Sequence, residues 1–176
     1  MRASLLVAVG ATIVLLVSGA PHGPRAGMVA RAAEPDPPAA SAGQPNSPEL
    51  EWLEYGAALE RAKKENKHVI VDFYTNWCGW CKRMDHDTYG DSAVATYLRQ
   101  HFVVSKVNAE SPKRFKVGDG SKSGIELARE FQVSSFPITW FMKPDGTKID
   151  KLMGYQAPGP FRNVLVFVHE RRYDRK

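Results

Sequence analysis

Cysteine is nearly absent: the 176 residues hold two, Cys78 and Cys81, with only two positions between them. A disulfide that braces a small domain gains by closing a long loop, because the entropy it removes from the unfolded chain grows with loop length. The loop from Cys78 to Cys81 is nearly the shortest that a disulfide can close, and a domain of this size should not need a brace. The pair therefore points to chemistry rather than support. A concentrated basic stripe is lacking too. The formal charge is +5, but Arg2, Arg25 and Arg31 all lie in the first 33 residues, which contain no acid, and the rest carries 21 basic against 19 acidic side chains. Binding to a phosphate backbone needs clustered positive charge, so nucleic acid is set aside as a partner. There is no internal repeat, no second Cys pair and no Met-rich run.

One long apolar run is present. Leu5 to Val17 follows Arg2 and carries no charge, the pattern of an export signal over residues 1–33. Ser18-Gly19-Ala20 and Ala30-Arg31-Ala32 both offer the small residues that signal peptidase favours, and the second fits the following chain better. The alternative is a retained anchor, although Leu5 to Ala20 is 16 residues before Pro21, short of the roughly 20 that span a bilayer. No cysteine stands close behind the run to carry a lipid, the first being Cys78. Residues 34–49 hold Pro35, Pro37, Pro38, Pro45 and Pro48 among Ala, Ser and Gly, too little apolar surface to fold, and read as a flexible spacer. A single domain is expected over residues 50–172, with 173–176 as a tail.

Within that domain, Trp52, Leu53, Leu59 and Ala62 fit the apolar side of a first helix, and Lys63, Lys64, Glu65 and Asn66 its exposed end. His68 to Tyr74 is a dense β-branched and aromatic run, which marks a central strand buried on both faces. Thr75 to Cys81 then turns into a helix. Asp91 is placed to cap a helix running to Gln100, and Phe102 to Val107 forms the next strand. Ser111 to Ser123, rich in Lys, Gly and Ser, reads as an exposed loop or insertion before a short helix from Gly124 to Phe131. Ile138 to Met142 and Lys148 to Met153 flank the turn sequence Lys143-Pro144-Asp145-Gly146 and form a hairpin. Phe161, Val164, Leu165 and Val168 repeat at helical spacing from Pro160 to about Arg172. The order predicts an α/β domain, a mixed sheet covered on both faces.

Cys78 falls where the central strand hands over to a helix. A cysteine attacks only as the thiolate, and a helix N-terminus lowers its pKa through unpaired N–H groups and aligned peptide dipoles. Residues three apart at a helix start lie on one side, close enough for their sulfurs to bond. Cys78 is thus expected to attack a partner's disulfide and Cys81, the more buried thiol, to resolve the mixed disulfide.

Val71-Asp72-Phe73 ending the strand, Trp77-Cys78-Gly79-Trp80-Cys81-Lys82, Lys106-Val107-Asn108, Phe136-Pro137 and Gly154 occur in this order over residues 52–172. In that set the chain resembles the thioredoxin superfamily. The resemblance implies a thioredoxin-like fold, thiol–disulfide oxidoreductase activity through Cys78 and Cys81, and neither cofactor nor metal. It implies that Asp72, buried and therefore raised in pKa, exchanges a proton with Cys81 directly or through a water. Lys106 either tunes that acid or is an ordinary solvent-facing lysine. Pro137, cis by the resemblance, opens the backbone of Phe136 to an extended substrate segment. Gly79, Trp80 and Lys82 complete the turn. Trp80 is expected to be largely exposed, and Trp77 either frames the thiol beside it or simply packs.

Two departures stand out. Gly79-Trp80 replaces the Gly-Pro of thioredoxin, and Trp80 offers no cationic hydrogen bond to the thiolate such as a His would supply, so a reducing or intermediate potential is inferred. The 111–123 segment is absent from thioredoxin and reads as a neutral surface loop or a partner contact. The implied partners are disulfide-containing exported proteins and a membrane or periplasmic thiol donor, with membrane contact only if the N-terminal segment is retained. The implied location is periplasmic or secreted. Two other classes remain: a carrier of a soft metal on Cys78 and Cys81, and a non-catalytic binding module using Phe136-Pro137.

Overall fold

The structure, a computed structural model, describes residues 49–175, so the expected signal segment and all of the spacer but Glu49 lie outside the described residues. In chain order the elements are α1 (Tyr55–Glu65), β1 (His68–Tyr74), α2 (Gly79–Met84), a π-helical turn (Asp85–Tyr89), α3 (Ser92–His101) and β2 (Phe102–Asn108). There follow β3 (Arg114–Val117), β4 (Gly120–Ser123), α4 (Gly124–Glu130), β5 (Ile138–Met142), β6 (Lys148–Met153), α5 (Pro158–His169) and a 3-10 turn (Arg172–Asp174). Four strands form a mixed sheet in the order β2-β1-β5-β6, with β1 and β2 parallel and the β1–β5 and β5–β6 pairs antiparallel.

β1 is central because nearly every side chain on it finds a core. Val69, Val71 and Phe73 enter one cluster with Tyr55, Ala58, Val107, Leu127 and Phe131, while Ile70 enters the other with Met84, Leu98, Phe141, Phe161 and Leu165. Each of the buried Val, Ile, Leu, Met and Phe side chains among them stabilises the fold by about 1.5–3 kcal/mol. The two-residue alternation of a strand puts Asp72 on the Ile70 face, inside a core rather than in solvent. Local chemistry sets several element ends. The Asp91 carboxylate accepts the N–H groups of Ala93 (3.0 Å) and Val94 (2.9 Å) at the start of α3. Ser123 and Glu126 form a reciprocal capping box on α4.

The fold class agrees with the sequence, and three local readings are corrected. Trp52 and Leu53 are not helical: Leu53 donates its N–H to the Val104 carbonyl at 3.0 Å and bridges Ser105, lying along the open edge of β2, while Trp52 packs edge-on against Tyr89. Residues 111–123 are not a plain loop but carry the β3–β4 hairpin, turning at Gly118. Phe115 and Val117 alternate with Arg114 and Lys116 and pack on the Tyr55–Phe131 core. The hairpin lies so close on α1 that a Cβ at Gly56 would sit 1.8 Å from the Lys116 carbonyl oxygen. Finally, α5 starts at Pro158 and stops at His169. Arg171 then turns left-handed, and Tyr173 reaches the buried His68 ring at 2.7 Å.

Candidate active site

The carboxyl end of β1 leads through Thr75, Asn76 and Trp77 to Cys78, whose N–H is donated to the Thr75 carbonyl at 3.2 Å. Cys78 is the N-cap of α2 in an extended conformation, and its Sγ accepts the Cys81 N–H at 3.0 Å. The Lys82 N–H closes the first turn on the Cys78 carbonyl at 3.3 Å, and its side chain is exposed. Gly79 is the first helical residue. The two cysteine Cα atoms are 5.3 Å apart and the sulfurs are joined in a disulfide. The two residues are shielded alike, 4% and 3% exposed. The expectation that Cys81 is the more buried is therefore not met in the disulfide form. What distinguishes them is position: Cys78 is the N-cap, its Sγ taking the Cys81 N–H, and Cys81 stands inside the first helical turn.

Strand register builds a polar row across the same end of the sheet. Asp72 on β1 is opposite Lys106 on β2 and opposite Thr139 on β5. The Asp72 carboxylate is 1% exposed, with the Lys106 ammonium 3.9 Å away and the Thr139 hydroxyl donating to it at 3.4 Å. Burial pushes this carboxyl up to about 7, against the positive charge of Lys106 and the hydroxyls of Tyr89 and Thr139, and with the help of the nearby Asp85 carboxylate. Lys106 is held on its other side by an ion pair with Asp85. Its ammonium also lies over the rings of Trp52 (4.9 Å), Tyr74 (5.3 Å) and Tyr89 (5.8 Å). It is not a solvent-facing lysine.

Around the disulfide the surface is aromatic. Trp77 and Trp80 are 67% and 55% exposed. Trp77 donates its indole N–H to the Glu110 carboxylate at 3.0 Å and meets the Phe136 ring edge-on at 5.8 Å. Trp80 leans on Tyr155, and the Arg83 guanidinium covers both rings at 5.2 Å. The Phe136–Pro137 bond is cis, and the buried Pro137 is tied to Gly154, whose N–H reaches the Pro137 carbonyl at 2.8 Å. Gly154 has φ +76°, a conformation that suits glycine.

Several residues of this arrangement were not legible in the sequence: Asp85, Tyr89 and Thr139 around Asp72, and Glu110, Arg83 and Tyr155 around the tryptophans. Thr139 carried a weak signal, since a hydroxyl interrupts an apolar strand two residues after Pro137. Asp85 and Tyr89 carried none, because their direction depends on the π-helical turn. Among the described residues no group of three or more His, Cys, Asp or Glu side chains is placed to hold a metal ion, and no helix is long and apolar enough to cross a membrane.

The sequence profile of the thioredoxin-like domain matches residues 55–169. The chain belongs to the thioredoxin-like family. It is similar to the thiol:disulfide interchange protein DsbD of Vibrio vulnificus, 32% identical over 114 residues that make up 64% of this chain and 17% of that protein. It is also similar to the disulfide bond reductase DsbH of Chlamydia pneumoniae, 25% identical over 62% of this chain and 66% of the relative. The chain thus spans about a sixth of the length of the first relative and just under two thirds of the second. Among solved structures, a putative disulphide-isomerase from Bacteroides thetaiotaomicron superposes with a TM-score of 0.56 at 32% identity, covering 71% of this chain and 96% of that one. A thioredoxin from Thermus thermophilus gives 0.58 at 28% identity, covering 68% and 86%. The relatives are thiol–disulfide oxidoreductases and isomerases of thioredoxin fold, and Cys78 and Cys81 occupy the active-site position of that fold.

Proposed function

We propose that this protein exchanges electrons with disulfides of exported proteins, most often as their reductant, through a dithiol–disulfide cycle of Cys78 and Cys81. The observation that carries this reading is a cysteine pair at a strand-to-helix turn, on the same side of the sheet as a buried carboxyl that titrates near neutrality. In the reduced protein the Cys78 thiolate attacks one sulfur of a target disulfide. A bond forms between Cys78 and that sulfur, and the other target sulfur leaves as a thiolate that takes a proton from water. Asp72 in its ionised form then accepts the Cys81 proton, and the Cys81 thiolate attacks Cys78 Sγ. The target sulfur bound to Cys78 leaves as a thiolate and takes up a proton, the Cys78–Cys81 disulfide forms, and the target has gained two electrons. A thiol donor, in the membrane or outside it, returns the pair to the dithiol.

Lys106 and Asp85 set the charge around Asp72, while Trp77, Gly79 and Lys82 shape the turn. Trp80, Phe136 and Pro137 offer the docking edge, where an extended segment of the target pairs with the backbone before the cis-proline. The export reading rests on residues 1–33 and on the similarity to DsbD and DsbH. It places the protein in the periplasm or outside the cell.

The test is Cys81→Ser. Attack by Cys78 remains and resolution is lost, so covalent complexes with natural targets accumulate and dissolve in dithiothreitol. Denaturing gels free of such adducts would remove the exchange mechanism. A redox titration against glutathione then assigns the direction: a potential near −270 mV supports a reductase and one near −120 mV an oxidant.

A further inference from the structure

Two hydroxyl groups reach the Asp72 carboxylate without any part in the exchange steps above. Thr139 stands directly across the antiparallel ladder from Asp72, its Oγ1 3.4 Å from Asp72 Oδ1. The Tyr89 hydroxyl lies 3.2 Å from that same Oγ1. We infer that Tyr89 and Thr139 form a two-hydroxyl relay that positions Asp72 and sets the pH at which it exchanges its proton. The inference rests on the reading of Asp72 as the acceptor of the Cys81 proton.

The proton count gives the relay its sense. Each hydroxyl carries one hydrogen. With Asp72 ionised, one arrangement of this chain serves both contacts: Tyr89 donates to Thr139 and Thr139 donates to Asp72. With Asp72 protonated, the carboxyl can donate to Thr139 and Thr139 to the Tyr89 oxygen, so the chain reverses and the carboxyl keeps a partner in both states. That matters at a site closed to solvent, where a polar group left without a partner is costly.

The parts are built to hold still. Tyr89 and Thr139 are both buried, and the Tyr89 ring is fixed edge-on by Trp52 at 4.9 Å and by Phe161 at 5.6 Å. The π-helical turn delivers both ends of the device. Asp85 at its start pairs with Lys106, and Tyr89 at its end meets Thr139, so one turn addresses the Asp72 carboxylate from two sides. The groups that face Asp72 are Lys106 from β2, Asp85 and Tyr89 from the π-helical turn and Thr139 from β5. Lys106 favours the carboxylate and Asp85 opposes it; the hydroxyl pair adds an uncharged preference for the ionised form.

The reduced full chain is mixed with 5,5′-dithiobis(2-nitrobenzoate), and the release of the two thionitrobenzoate ions is followed by stopped-flow absorbance across pH. The second release reports the resolving attack of Cys81. Thr139→Val and Tyr89→Phe should each move the midpoint of that second phase upward by about half to one pH unit, since each removes a hydrogen bond that favours the ionised carboxylate. Thr139→Ser, which keeps the hydroxyl, should return the profile to that of the unaltered protein. Carbon-13 NMR of the Asp72 carboxyl should show the upward shift in Tyr89→Phe and none in Thr139→Ser, without relying on the Val variant to fold. Unmoved midpoints, in a protein whose inflection vanishes with Asp72→Asn, overturn the relay and leave the role of Asp72 standing. An inflection that survives Asp72→Asn removes that role, and the relay with it.

Discussion

Replacing Asp72 by Asn should stabilise the oxidised protein, and only above the acid range. In the disulfide form neither cysteine titrates, so the perturbation is confined to the carboxyl. Asp72 has its pKa pushed up from 3.8 to about 7 in the folded state, chiefly by burial, and returns to about 3.9 when the chain unfolds. Below pH 4 both states are protonated and the group is neutral in each. As pH rises from 4 to 7 the unfolded chain ionises first. The stability that the buried carboxyl contributes in its protonated form is lost through this window and stays lost above it. A shift of about three units amounts to about 4 kcal/mol at pH 8. Asn escapes that cost, but its amide cannot pair with the Lys106 ammonium 3.9 Å away, which brings the expected gain to about 2–4 kcal/mol. Urea unfolding of the oxidised full chain at pH 4 and pH 8 reads it as a rise of about 1–2 M in midpoint at pH 8 with unchanged slope, and little change at pH 4. An equal gain at both pH values, or a loss at pH 8, would refute the claim that an ionised carboxylate is held there against its solvation.

Lys106→Met keeps an apolar stem among the rings of Trp52, Tyr74 and Tyr89 but removes the charge that most opposes the burial of Asp72. The Asp72 titration midpoint, followed by carboxyl NMR, should rise by about one unit, and a fall would reverse the assigned sign. Gly124→Ala would place a Cβ 1.9 Å from the Asn108 carbonyl oxygen, where backbone must move. Urea unfolding should register a loss of about 2–4 kcal/mol, whereas Gly159→Ala, with nothing within 4 Å, should be neutral or mildly stabilising.

The readings that succeeded were those with a local cause. His68 to Tyr74 has the composition of a strand with two buried faces, and it is one. Asp91 caps the helix it precedes, and the Lys143-Pro144-Asp145-Gly146 turn separates the two strands flanking it. Trp52 and Leu53 misled because two apolar residues next to an amphipathic stretch fit the helix or an edge pairing equally, and the choice depends on β2, some 50 positions away. Phe115 and Val117 alternate with Arg114 and Lys116 as a strand should, but Gly and Ser around them masked the pattern. Trp77 could have packed inward. Its exposure follows from an anchor on Glu110 that lies 33 positions downstream.

The order of apolar runs, the turn residues and the spacing of two cysteines at a strand-to-helix junction were enough to determine the fold class and to single out the cysteine pair at the active-site position. Periodicity, capping and helix polarity act within a few residues, which is why they can be read directly. The setting of Asp72 was decided only in three dimensions. Its row with Lys106 and Thr139 comes from the register of strands far apart in the chain, and Asp85 and Tyr89 reach it through one π-helical turn. Burial and charge around a carboxyl depend on which side chains converge on it, and convergence is a property of packing.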